Sequence, residues 1–160
     1  MWKYVETDAW GFISLHDCFA DSIQKDGDDL IINFPDGFWV CPNSKYIDGK
    51  DHLRTGPAQV CFKNFVDIMD PIYIYKDMRL FGKLLLSRRI WLEEEQFMNM
   101  INGGKYTLEF LEEYHQPMNV KYKCEVFNKK KGRYTNMECE FDVFAKSIEY
   151  RWNEITCREW

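Results

Sequence analysis

Apolar and polar residues alternate most strictly between Asn119 and Phe144. Val120, Tyr122, Cys124 and Val126 take turns with Lys121, Lys123 and Glu125; after Asn128-Lys-Lys-Lys-Gly-Arg133, Met137, Cys139, Phe141 and Val143 take turns with Glu138, Glu140 and Asp142. A period of two places each set on one face of a strand. With Phe127 opposite Tyr134, the register predicts Lys123 against Glu138 and Lys121 against Glu140 outside, and Cys124 against Met137 and Val120 against Phe141 inside. This hairpin is the expected spine of a mostly antiparallel sheet.

The rest of the chain supplies further short strands. Trp10 to Cys18 reads as a first strand covered on both faces. Phe19 to Gln24 and Leu30 to Phe34 flank Asp26-Gly27, where glycine provides the positive φ of a tight turn, and Leu30, Ile32 and Phe34 share a face. Phe34-Pro35-Asp36-Gly37 has the residues of a type I turn, after which Phe38 to Cys41 restarts a strand. Residues 42–57 read as a surface loop. Ala58 to Phe65, Ile72 to Lys76, Tyr106 to Phe110 and Ser147 to Trp152 read as strands, the last with Ile148, Tyr150 and Trp152 inward. Met78 to Trp91 fits a strand or a helix.

One helix is expected near residues 92–102. Glu93-Glu-Glu95 favours the positive end of a helix dipole, Phe97 and Ile101 lie four apart on one face, and Gly103 is a left-handed stop. The predicted fold is α+β and predominantly antiparallel β, a sandwich or strongly curved sheet with one short helix, in a single domain of residues 1–160.

Composition narrows the classes of function. Of 160 residues, 46% are hydrophobic and 29% charged, enough for a core without disulfides or metal. No apolar run reaches the ~20 residues of a membrane span. The opening Met1-Trp-Lys-Tyr-Val-Glu-Thr-Asp8 is too polar for a signal peptide, so a cytoplasmic location without membrane contact is expected. The six cysteines form no Cys-x-x-Cys pair and read as free thiols.

Charge is unevenly placed. Residues 1–57 carry five Lys/Arg against ten Asp/Glu, whereas residues 58–160 carry sixteen of each, so the whole net charge of -5 belongs to the first third. Such an end repels phosphate and attracts cationic surfaces, which disfavours nucleic acid and favours a basic protein partner. Asp17, Asp21, Asp28, Asp29 and Asp36 form the expected acidic contact surface, with Trp39 as its aromatic anchor.

No catalytic, metal or cofactor-binding residue is assigned. His16-Asp17-Cys18 groups reactive types, but strand neighbours two apart lie ~7 Å from each other, too far for a proton relay. Asp26-Gly-Asp28-Asp29 lacks the spacing and closing glutamate of a calcium loop and reads as a turn. Lys129-Lys-Lys131 with Arg133 reads as a charged hairpin tip, and Arg88-Arg89 as a surface pair on an element whose other side is buried. A Cys/His or carboxylate hydrolase and a structural or self-assembling protein are the alternatives.

The order Leu15-His-Asp-Cys18, Asp26-Gly27, Leu30-Ile-Ile-Asn-Phe34 and Asp36-Gly-Phe-Trp39 resembles small bacterial β-rich proteins, among them immunity partners of polymorphic and contact-dependent toxins. The likeness spans about the first quarter of the chain and carries no binding residue with it. It implies an acidic cytoplasmic inhibitor that covers a cognate toxin domain, often a basic nuclease.

Overall fold

The computed structural model describes residues 1–42, 44–47, 49–66 and 72–159, with nothing said of the side chains of 157–159. Among the described residues, three antiparallel sheets, one α-helix and one short 3-10 helix at Lys129–Lys131 make up the fold. The six-stranded sheet runs β10 (Lys83–Leu92), β9 (Ile72–Leu80), β13 (Arg133–Phe144), β12 (Asn119–Asn128), β11 (Tyr106–Gln116), β3 (Cys18–Ala20). The five-stranded sheet runs β1 (Tyr4–Thr7), β14 (Ser147–Trp152), β8 (Ala58–Lys63), β5 (Asp29–Phe34), β4 (Ser22–Asp26). A smaller sheet of β15 (Ile155–Glu159), β7 (Leu53–Thr55), β6 (Trp39–Val40) and β2 (Ile13–Ser14) completes it. The α+β, β-rich class expected from the alternation is the class observed.

The two larger sheets bury their apolar faces against each other. Phe62 on β8 meets Tyr122 on β12 edge-on at 6.1 Å, and Phe34 on β5 meets Phe110 on β11 at 5.2 Å. Buried side chains from all three sheets and the helix form one cluster. Burial of these aromatic and branched side chains is the main stabilising term.

The helix, α1 (Glu94–Asn102), starts at a capping box between Glu93 and Gln96 and buries Phe97 and Ile101. Phe97 packs on Phe141 at 5.3 Å. Asn102 fixes the other end: it accepts the Ile23 N–H and donates to the Ile23 carbonyl, both at 2.8 Å. The expected left-handed stop at Gly103 falls one residue later, since Gly103 has φ -65 and Gly104 φ +69.

The β12–β13 hairpin keeps its expected tip, with Phe127 opposite Tyr134, but not its expected register. A bulge moves the pairing by two residues, so Cys124 faces Cys139, Lys123 faces Glu140 and Val120 faces Val143. Asn136 takes a left-handed φ of +55 there, and Thr135 Oγ1 donates to the Val126 carbonyl at 2.9 Å. A shift of two preserves which residues face inward, so periodicity could not detect it. It does change the outer neighbours: Glu125 now faces Glu138.

The proposed Trp10–Cys18 strand is broken. A turn at Ala9–Ile13 and a left-handed Asp17 (φ +57) divide it into β2 and β3, which belong to different sheets. The β4–β5 hairpin forms as expected, although Asp26 pairs with Asp29, making Gly27 (φ +60) and Asp28 the turn residues. Gly37 (φ +73) sits so close to Thr55 and Gly56 that a Cβ would lie 2.3 Å from Thr55 Oγ1. Residues 42–57 are not wholly loop, since they contain β7.

Met78 to Trp91 is two strands joined by a turn at Phe81–Gly82, the strand alternative of the two that its pattern allowed. β9 pairs with β13 only from Tyr73 to Lys76; beyond Lys76, no further strand pairs with the β9–β10 hairpin among the described residues, although Asp77 and Arg79 still share a cleft with Glu125, Asn136 and Glu138. The expectation that one side of Arg88-Arg89 is buried is corrected: every residue from Lys83 to Arg89 is exposed.

Candidate interaction surfaces

The first-meander carboxylates do not converge. Asp28 and Asp29 lie at the β4–β5 turn, while Asp36 follows the far end of β5, about 17 Å away along an extended strand. Asp29 is paired with Lys63 and accepts the Asn64 N–H at 3.1 Å, and these contacts hold its carboxyl below the usual range. Asp21 lies 3.5 Å from Lys129. Asp17 precedes β3, where its N–H donates to the Phe110 carbonyl. Trp39 is half-buried beneath the Arg54 guanidinium, 4.7 Å from the ring centre, and Arg54 Nε donates to the Asp36 carbonyl at 2.9 Å. Asp36 and Trp39 are linked through a cation of the same chain, Arg54.

The His16-Asp17-Cys18 group is arranged for structure. His16 Nδ1 lies 2.6 Å from the Leu111 carbonyl, and the Cys18 thiol is fully buried. Burial pushes that thiol up to about 12, so it is protonated at neutral pH. Among the described residues, no group of three or more His, Cys, Asp or Glu converges as metal ligands would.

Two arrangements arise that alternation alone did not reveal. The bulge aligns Glu109, Glu125 and Glu138 on three adjacent strands of the outer face. Glu109 is buried, and Glu109 is among the groups that raise the proton affinity of the Tyr134 hydroxyl, after its burial. Burial first, then the charges of Glu109 and Glu138, raise the proton affinity of Glu125, while Arg79 opposes them. Separately, Trp10 stacks on His115 with ring centres 5.0 Å apart. His115 Nε2 lies 3.3 Å from Glu113, which also accepts the Leu15 N–H at 2.9 Å. A cleft of about 390 Å³ opens beside this stack, with Asp8, Trp10, Phe62, His115, Met118 and Lys146 among its walls.

The distal β9–β10 hairpin exposes a run of apolar side chains. Met78, Leu80, Leu84, Leu85 and Leu86 are each more than half exposed, and Phe81 at the turn is 96% exposed. Their exposed apolar area, on the order of several hundred Å² in sum, is divided between the two faces of the hairpin. The apolar groups lie on both faces: Leu86 pairs with Met78, while Leu84, beyond a bulge, pairs with Arg79. Phe81 and Gly82 have φ of +49 and +79, as a type I′ turn requires. Asparagine suits the first of these positions; a bulky aromatic there carries backbone strain.

The arm is also basic. From Lys76 to Arg89 it holds five Lys/Arg and one Asp, a net charge of +4, leaving -9 on the rest of the chain. Comparison with protein-family models, curated proteins and solved structures yields no match. None of the helices described is long and apolar enough to cross a membrane.

Proposed function

We propose that this chain is a protein-binding module whose principal contact element is the β9–β10 arm. The observation that carries this reading is the exposure of six large apolar side chains on a hairpin that projects beyond its last sheet neighbour. An isolated two-stranded hairpin is marginal in water, and an exposed apolar edge strand invites aggregation. Lys83, Arg88 and Arg89 offset that hazard by repulsion, as charges on edge strands commonly do. Seating the arm in a partner removes the hazard and uses the apolar area for affinity.

The inhibitor role implied by the first-quarter resemblance belongs within this proposal, as does a cytoplasmic location. The arm's charge changes the expected partner, however. A +4 arm favours an apolar site with an acidic rim, whereas a basic toxin would be met by the remaining surface of net -9. The dispersed meander carboxylates give such a toxin no focused patch.

The test is a photo-crosslinking amino acid placed at Leu85, with Lys130 on the β12–β13 tip as control, in cells that make the protein. A discrete adduct from position 85 and none from position 130 is expected. Equal diffuse labelling at both positions would overturn the assignment of the arm.

A further inference from the structure

An open sheet ends in two outermost strands, each with a row of backbone N–H and C=O groups aimed away from its one neighbour. Here these strands are β3 and β10, β1 and β4, β2 and β15. Among the described residues, all but β10 hold only two to five residues, and short edges are poor templates for pairing. β4 is also closed by the helix, since the Asn102 side chain takes up both backbone groups of Ile23. β10 holds ten residues and no proline, and among the described residues its backbone bonds only to β9. Past the bulge near Leu85 its register is regular from Leu86 to Leu92.

The side chains set the chemistry of that edge. Its charged groups are Lys83, Arg88 and Arg89, all cations and all exposed. Asp77, the only acid between Lys76 and Arg89, is paired with Arg79 at 2.8 Å, so the arm offers these three no carboxylate of its own. Pairing with β9 sets Arg88 and Leu86 on the face of Lys76 and Met78, and Arg89 and Trp91 on the opposite face with Tyr75 and Tyr73. A surface pressed on one face would leave the other uncovered. A single extended segment laid along the edge reaches both, because its successive side chains alternate between faces. A second β10 is disfavoured in that place, since it would bring three cations against three.

We infer that β10 accepts an extended acidic segment of the partner as an added strand, with two successive Asp or Glu residues facing Arg88 and Arg89 and apolar residues on either side. This rests on the arm being the contact element and specifies what contacts it. Backbone hydrogen bonds along the edge supply affinity, and the charge pairs supply selectivity.

The probe is a displayed library of random peptides as long as β10, selected against the purified full chain. Selected peptides should carry adjacent acids and no internal proline. Arg88→Glu combined with Arg89→Glu should lower their affinity by at least about tenfold, because both cross-strand attractions become repulsions. Exchanging the two acids of the peptide for lysine should restore binding to that variant, which also shows it folded. Amide exchange followed by NMR should find protection gained at every second residue from Leu86 to Leu92, the intervening amides being already bonded to β9.

A selection that yields no peptide, or peptides without acids, would overturn the inference. So would protection gained without a period of two, self-association through β10 in place of peptide binding, or binding to phosphatidylglycerol vesicles by a chain that takes no peptide. If position 85 still gives its discrete adduct in cells in any of these cases, the arm remains the contact element and only strand addition is lost. Absence of the adduct as well removes the arm itself.

Discussion

At the residue scale, Glu125 shows how a neighbour's identity depends on register. Alternation places it correctly on the outer face, and a regular hairpin would have paired Lys123 with Glu138. The bulge at Asn136 sets Glu125 between Glu109 and Glu138 instead, in adjacent strands. Its carboxyl keeps its proton to a higher pH in the folded than in the unfolded chain. The sign follows from that direction: the folded state is favoured while the group is protonated, and this advantage is lost as pH rises past its ordinary value near 4.5. Glu125→Gln should therefore raise stability at pH 7 by about 0.5–1 kcal/mol, the scale of like-charge cross-strand repulsion. Urea titration should find this difference shrinking below pH 4.5; a pH-independent difference would assign it to something other than charge. Neither residue type nor period announces such a site, because a two-residue shift leaves every face unchanged. The meander aspartates were legible only as charges: Asp29 and Asp21 have their lysine partners far along the chain, at Lys63 and Lys129.

At the element scale, legibility followed burial. The inner faces of β12, β13 and β14, the Phe97/Ile101 stripe of α1 and the β4–β5 turn could be read in advance because each answers to a core that demands one period or one turn residue. Met78–Trp91 resisted because its apolar residues answer to no core of this chain: Leu84-Leu-Leu86 is exposed, and a bulge lies between Leu84 and Leu86. Trp10–Cys18 misled for a different reason, since Asp17 adopts a left-handed φ that interrupts an otherwise strand-like run. The turn of the arm makes the conflict between folding and binding measurable. Phe81→Asn should relieve the left-handed strain and stabilise the chain by about 1 kcal/mol. Thermal melting in the Leu85→Asp background separates this gain from any change in association. In the parent chain the same substitution should weaken docking, because it removes the most exposed apolar group of the arm; an unchanged affinity would take Phe81 out of the contact.

At the scale of the whole molecule, two larger sheets pack face to face and one basic, apolar hairpin extends from the edge of one of them. Charge asymmetry was visible in composition, but its partner was not: the arm's +4 is concealed within a region whose total is zero. The proposed contact role of the arm rests on its exposed apolar side chains, and its direct consequence is that the arm's backbone is shielded when the protein is at work. Amide hydrogen exchange tests this most directly, comparing chain recovered from its native cells without dissociation against chain diluted to nanomolar concentration. We expect amides from Leu80 to Ser87 to be protected in the recovered form and to exchange rapidly after dilution, with those of Tyr122–Val126 slow in both. Equally rapid exchange along the arm in both states would contradict the account.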